Sequence, residues 1–253
     1  MIVLAEAVMG TMFSFHVEPG ECPTGEATAV IASACTRLHE LDTIFTTWRQ
    51  ESPMSRFRAG LLRRDGVPGE MTRAMALCEE ARALSKGWFD PWAMPGGFDP
   101  TGLVKGWAVS EALELLRLAG VKAAMVNGGG DISVFGSPEE TTAWRIGIRH
   151  PWRSEALACV LEIDGAVATS GCYERGPHLI NPKDGRMMFD TASASVVGAN
   201  LAICDALATA LVVADEEGPQ LARSLGDYEA YLIRNDGTEH ASSGIVFASA
   251  SVR

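Results

Sequence analysis

Hydrophobic and polar residues alternate in "TMFSFHV", residues 11–17, and put Phe13, Phe15 and Val17 on one face. A period of two predicts an early strand. The period then lengthens. From about Glu26 to Phe45 the apolar residues Val30, Ala34, Leu38, Leu41 and Phe45 recur at helical spacing, and a second helix is predicted from about Thr72 to Leu84, ended by Lys86-Gly87. Residues 87–107, "GWFDPWAMPGGFDPTGLVKGW", are rich in glycine and proline and hold two Phe-Asp-Pro triplets. So many aromatics argue for an ordered loop rather than a flexible linker. An apolar helix is predicted near Ala108 to Leu118.

"VKAAMVNGGGDISVFG" places a glycine turn between two apolar runs and reads as a strand pair. Short β-type runs follow in "WRIGIRH", "ACVLEI", "AVATSG" and "SASVVGA", then a helix around Asp205. "YEAYLI" and "GIVFAS" are expected to close the chain as a hairpin around "RNDGTE". Helices before residue 120 and around 205–226, with strands between and after them, predict an α+β fold with mixed or antiparallel sheets and flanking helices. Residues 1–253 read as one large domain of two closely joined lobes.

Composition narrows the function. A chain of 253 residues with 47% hydrophobic and 21% charged residues builds its own core and is too apolar for disorder. Its formal charge of −11 disfavours nucleic acid and anionic membranes as partners. An anionic substrate then requires a local cation, either a metal or a well-placed lysine. Cysteines at 22, 35, 78, 159, 172 and 204 form no CxxC motif, and free thiols are expected. No apolar run reaches membrane-spanning length, and the start "MIVLAEAVMG" lacks a basic leader, so a cytoplasmic location is expected.

Three stretches carry candidate chemistry. In "ICDALATAL", Asp205 and Thr209 lie four residues apart, which on a helix stacks both oxygens on one face. They can hold one cation together, or Asp205 can cap a helix beginning at Ala206 while Thr209 bonds back to the preceding turn. In "FDPTGLVKGW", Asp99 and Lys105 bracket a glycine turn at a helix start, an arrangement that suits a pyrophosphate with Mg²⁺ or, equally, a capped helix with a solvated lysine. His178, in a polar loop, is either a surface histidine or a general base. "NGGGDI" fits neither the dinucleotide-binding nor the P-loop spacing, although its glycines would let backbone approach a ligand.

Taken in order, "MGT" (9–11), "TWRQESPMSRF" (47–57), "GWFDP" (87–91), "DPTGLVKG" (99–106), "NGGGDI" (127–132), "WRIGIRHP" (144–151), "ATSGCYER" (168–175), "HLINPKDG" (178–185) and "CDALATAL" (204–211) resemble the ApbE-type FAD:protein FMN transferases over nearly the whole chain. The resemblance implies an ApbE-like, T-fold-like architecture. It also implies an Mg²⁺-dependent enzyme that moves FMN from FAD, its substrate, to a Ser or Thr hydroxyl of an acceptor flavoprotein and releases AMP. By the same resemblance the metal is held by Asp205, Thr209 and the Gly102 carbonyl. Flavin contacts come from Met9, Trp48, Trp88, Phe89, Asp90, Asp99, Lys105 and Ile180. His178 is the implied base and Lys105 offsets charge. The chain departs from the family pattern at Cys172, where Asp is usual, at Pro100-Thr101, where Leu-Gly is usual, and in a shortened segment between the Phe-Asp-Pro triplets. The alternative functions are a flavin-binding protein and an FAD pyrophosphatase that uses water in place of an acceptor.

Overall fold

The computed structural model describes residues 1–137, 143–171, 179–188 and 191–248. Strand β1 (Ile2–Val8) turns directly into β2 (Thr11–Glu18), where Phe13, Phe15 and Val17 are fully buried as their alternation requires. Helix α1 (Thr24–Phe45) buries Ala27, Ile31, Ala34, Leu38, Leu41 and Phe45, one helical stripe that meets the expected period. The short α2 (Pro53–Arg58) follows, its first turn capped by the Ser52 hydroxyl accepting from the Ser55 N–H at 3.0 Å.

Helix α3 (Gly69–Leu84) starts three residues earlier than expected, because Pro68 presets the backbone at its N-terminus. The larger correction is α4 (Thr101–Leu118), which begins well before Ala108. The Asp99 carboxylate accepts from the Thr101 N–H at 3.1 Å and so starts the helix inside the glycine- and proline-rich stretch.

Strands β3 (Ala123–Gly128) and β4 (Asp131–Phe135) form the expected pair. They are followed by β5 (Trp144–His150), β6 (Arg153–Ile163), β7 (Ala166–Ser170), β8 (Thr191–Gly198), α5 (Leu201–Ala214), α6 (Gly218–Ala222), β9 (Glu229–Arg234) and β10 (Glu239–Ala241). Eight strands make one sheet in the order β1-β2-β3-β4-β7-β8-β9-β10, antiparallel at every pairing of the described residues, and β5 and β6 pair separately. The fold class is therefore α+β with a large antiparallel sheet and flanking helices.

The strands from β4 to β9 are covered on both faces. In β9, Ala230 and Leu232 join the cluster formed with α1, α3, α4 and α5, whereas Tyr231 and Ile233 point the other way and pack with β5 and β6. The closing hairpin differs from expectation. The turn at 234–238 is tight, with Gly237 N–H bonded to the Arg234 carbonyl, so the strand returning against β9 is β10. "GIVFAS" instead runs beside β6, with Phe247 bridged to Leu161 and edge-on to Tyr231 at 5.8 Å. That location packs the half-buried Ile245 against the second cluster. No helix among the described residues is long and apolar enough to cross a membrane.

Candidate functional site

Helix α5 is buried along almost its whole length. Its N-cap is Asn200, whose side chain accepts from the Ala202 N–H at 3.1 Å. Asp205 is therefore inside the helix, 6% exposed, and does not cap it. The face that carries Asp205 and Thr209 packs on a matching face of α4 that carries Gly102 and Gly106. A Cβ on Gly106 would lie 2.6 Å from the Leu201 carbonyl oxygen and 3.0 Å from the Asp205 Cβ, so the approach requires glycine. The Gly106 N–H donates to Asp205 Oδ2 at 3.2 Å. Gly102 departs from helical geometry, with φ −78° and ψ 17°, which swings its carbonyl off the helix axis. A Cβ there would lie 3.4 Å from Thr209 Oγ1. The Thr209 hydroxyl is also 3.4 Å from Ser170 Oγ at the end of β7.

These groups line a pocket of about 360 Å³, within the size range of ligand clefts. One wall is the 88–99 stretch, with Trp88, Phe89, Asp90 and Asp99. The floor is the start of α4, with Gly102 and Lys105, and the far side is Asp205, Thr209, Thr169, Ser170, Gly129 and Ile180. The Phe89 N–H donates to Ser85 Oγ at 3.0 Å, which ties the wall to the end of α3.

Lys105 is ion-paired with Asp131, whose side chain is completely buried at the start of β4. Positive φ at Gly129 and Gly130 turns the chain there, and Asn127 Oδ1 accepts from the Gly130 N–H at 2.8 Å. Burial first, and then the Asp205 charge, push the Asp131 carboxyl upward, while Lys105 opposes them. Lys105 is the sole cation among the described lining residues, and the buried Asp205 lines the same pocket. Beyond the Lys105 ion pair, neither Asp131 oxygen accepts a well-formed hydrogen bond.

A hard cation beside Asp205 would relieve the repulsion between the two buried carboxyl groups. The donors Gly102 carbonyl, Asp205 carboxylate and Thr209 hydroxyl are all hard oxygens, the type that Mg²⁺ prefers. No cluster of three or more His, Cys, Asp or Glu side chains suited to a metal occurs among the described residues.

Of the residues singled out in the sequence, Trp88, Phe89, Asp90, Asp99, Gly102, Lys105, Ile180, Asp205 and Thr209 meet at the pocket. Asp90 is paired with Arg82 at 2.8 Å and Asp99 with Arg58 at 2.9 Å. The Lys183 ammonium lies 3.2 Å from the Trp88 ring centroid, a cation–π contact. Met9, with φ 53°, occupies the β1–β2 turn, and Trp48 is 95% exposed; neither lines the pocket. His178 and Cys172 lie outside the described residues. Sequence reasoning missed Asp131 and Ser170. The signal for Asp131 was an acid opening an otherwise apolar strand after a glycine turn.

Residues 9–96 and 93–232 match the model of the ApbE family. The chain belongs to that family. It is 36% identical over 148 residues to an FAD:protein FMN transferase of Rhodobacter capsulatus, covering 54% of this chain and 28% of that protein. It is 32% identical over 161 residues to an FAD:protein FMN transferase of Vibrio cholerae, covering 57% of this chain and 48% of the relative. The match thus spans from about a quarter to about half of these curated relatives. Among solved structures, the flavin transferase ApbE from Vibrio cholerae superposes with a TM-score of 0.80 at 23% identity, over 96% of this chain and 97% of that one. The apo flavinyl transferase ApbE of Pseudomonas stutzeri gives 0.84 at 22% identity, over 96% and 94%. At such identities these two likenesses establish the ApbE fold.

Proposed function

We propose that this ApbE-family chain transfers FMN from FAD to a Ser or Thr hydroxyl of an acceptor protein and releases AMP, with Mg²⁺ as cofactor. The observation that carries the reading is the convergence of Gly102, Asp205 and Thr209 beside Lys105 in one pocket. The names of the matched relatives point the same way.

In this reading the acceptor oxygen attacks the FMN-side phosphorus. A new P–O bond forms, the bond from that phosphorus to the bridging oxygen breaks, and AMP leaves with that oxygen. His178 takes the hydroxyl proton. Lys105 is held by Asp131 and offsets the charge that builds on the pyrophosphate. Mg²⁺ on Gly102, Asp205 and Thr209 would supply Lewis-acid neutralisation of the phosphate oxygens. The enzyme's own part is mainly positioning and electrostatics, as is usual for phosphoryl-type transfer.

The test is incubation with FAD, Mg²⁺ and candidate acceptor proteins, followed by chromatography for AMP and mass spectrometry of the acceptors. AMP together with a covalent FMN adduct is expected. AMP with free FMN and no adduct would assign a pyrophosphatase, and bound FAD without AMP a flavin-binding protein.

A further inference from the structure

The 88–99 wall is short, and its 95–99 end is tied to one side chain from outside the pocket. Arg58, the last residue of α2, donates from Nη1 to Asp99 Oδ2 at 2.9 Å and from Nη2 to the Pro95 carbonyl at 2.8 Å, with the Phe98 carbonyl 3.4 Å from Nη1. The backbone wraps closely around the guanidinium. Gly96 has φ +79°, and a Cβ there would lie 2.7 Å from Arg58 Nη2. The preceding residue supplies an apolar counterpart, for Phe57 is edge-on to Trp92 at 6.4 Å and to Phe98 at 6.0 Å. Trp92 and Phe98 are themselves 4.3 Å apart.

Arg58 does not line the pocket, yet the groups it holds include Pro95 and Asp99, which do. Its planar fork reaches a carboxylate and main-chain carbonyls at once, which a lysine ammonium on one flexible stem does not reproduce. We propose that Arg58 is a positioning residue that fixes the 88–99 wall and thereby sets the affinity of the pocket for its dinucleotide. The proposal rests on the function given above for the identity of that dinucleotide. Arg58 acts on binding rather than on chemistry, because Gly102, Asp205 and Thr209 are held by the α4–α5 contact and not by α2.

The experiment uses the full chain and its Arg58→Met, Arg58→Lys and Asp99→Asn variants. Amide hydrogen exchange reads the wall directly through the Ala93, Gly97 and Asp99 N–H groups, which donate to the Asp90, Met94 and Pro91 carbonyls. FAD affinity is read by flavin fluorescence, and transfer kinetics give KM and kcat. Arg58→Met is expected to speed exchange across 93–99 at least tenfold without changing α1. It should raise the FAD Kd and KM about tenfold, as loss of a charge-assisted contact implies, with kcat within about twofold. Arg58→Lys should recover part of the affinity, and Asp99→Asn, which breaks the pair from the other side, should reproduce the faster exchange even if Arg58→Met does not fold.

Unchanged exchange across 93–99 in these variants overturns the proposal. So does faster exchange with an unchanged FAD Kd, or a fall in kcat at constant KM. Failure of the wild-type chain to bind FAD at all would overturn the function above and the affinity part of this proposal together, and the exchange data would then decide the pinning of the wall by themselves.

Discussion

The α4–α5 contact and the 88–99 wall border the same pocket but are held together by different forces. Between the helices, glycine lets backbone approach backbone, and Ile203, Ala206, Leu207 and Ala210 are wholly buried around the contact. Close-packed interiors resist displacement, so Gly102, Asp205 and Thr209 keep one geometry. The wall relies on Arg58–Asp99, Arg82–Asp90 and ring contacts of the half-buried Trp92 with the buried Phe98. Such part-buried ion pairs hold the wall through a few directed contacts and, on the Arg82 side, are open to screening by salt. Under the proposed function the difference would divide the labour: the packed side would carry the charges that act on the transferred group, and the wall would shape the space for the substrate.

The largest expected effect is on the rigid side. Asp205→Asn should lower transfer about 10³-fold, the upper end for removing one preorganised electrostatic group, and should weaken Mg²⁺ binding in calorimetric titration with FAD present. Stability should move the opposite way. The asparagine oxygen still accepts from Gly106 N–H while repulsion with buried Asp131 is relieved, so the melting temperature without added divalent cation should hold or rise. A variant that loses activity by melting would break the comparison.

Lys105→Met comes next, with turnover down about 10²–10³-fold. It also leaves Asp131 buried without its partner, a loss of about 3–5 kcal/mol less whatever protonation of Asp131 recovers. Adding Asp131→Asn should restore the denaturation midpoint but not the turnover, which separates the structural role of the pair from its chemical role. Gly106→Ala is the packing counterpart. Helix propensity alone favours alanine by about 0.8–1.0 kcal/mol, but the Cβ collides with the Leu201 carbonyl. A net destabilisation of about 1–3 kcal/mol is expected from urea unfolding at constant m-value. A stabilised variant would show that the helices have room to separate.

The rigid side was also the more legible in sequence. Asp205 and Thr209 announce themselves because helical spacing is a local pattern, and α1 was readable from one apolar stripe. The start of α4 was hidden by Pro100 and Gly102, since a helix that opens with a kinked first turn looks like loop composition. Asp131 and Arg58 were invisible as partners of Lys105 and Asp99, because pairing between distant elements follows from topology and leaves no local trace. The same reason separates "GIVFAS" from the hairpin that its pattern predicts: two apolar runs around a turn look alike whether they pair with each other or with β6.

The smallest expected effect probes the wall through Arg82, which donates from Nε to Asp90 Oδ2 at 2.8 Å while Asp90 Oδ1 accepts from the Trp92 N–H at 3.0 Å. Arg82→Gln leaves the Asp90 turn in place and removes only the external charge, since its side chain is half exposed and reaches the carboxylate from outside the pocket. The uncompensated carboxylate then faces an incoming pyrophosphate. The KM for FAD should rise about two- to threefold at low salt with kcat unchanged, because only ground-state binding is touched. Raising the salt to about 0.5 M shortens the screening length to a few ångströms and should erase the difference between wild type and variant. Steady-state AMP release at two salt concentrations measures both. A tenfold or salt-insensitive effect would mean that Asp90 is held as tightly as Asp205, and the contrast between the two sides of the pocket would fail there.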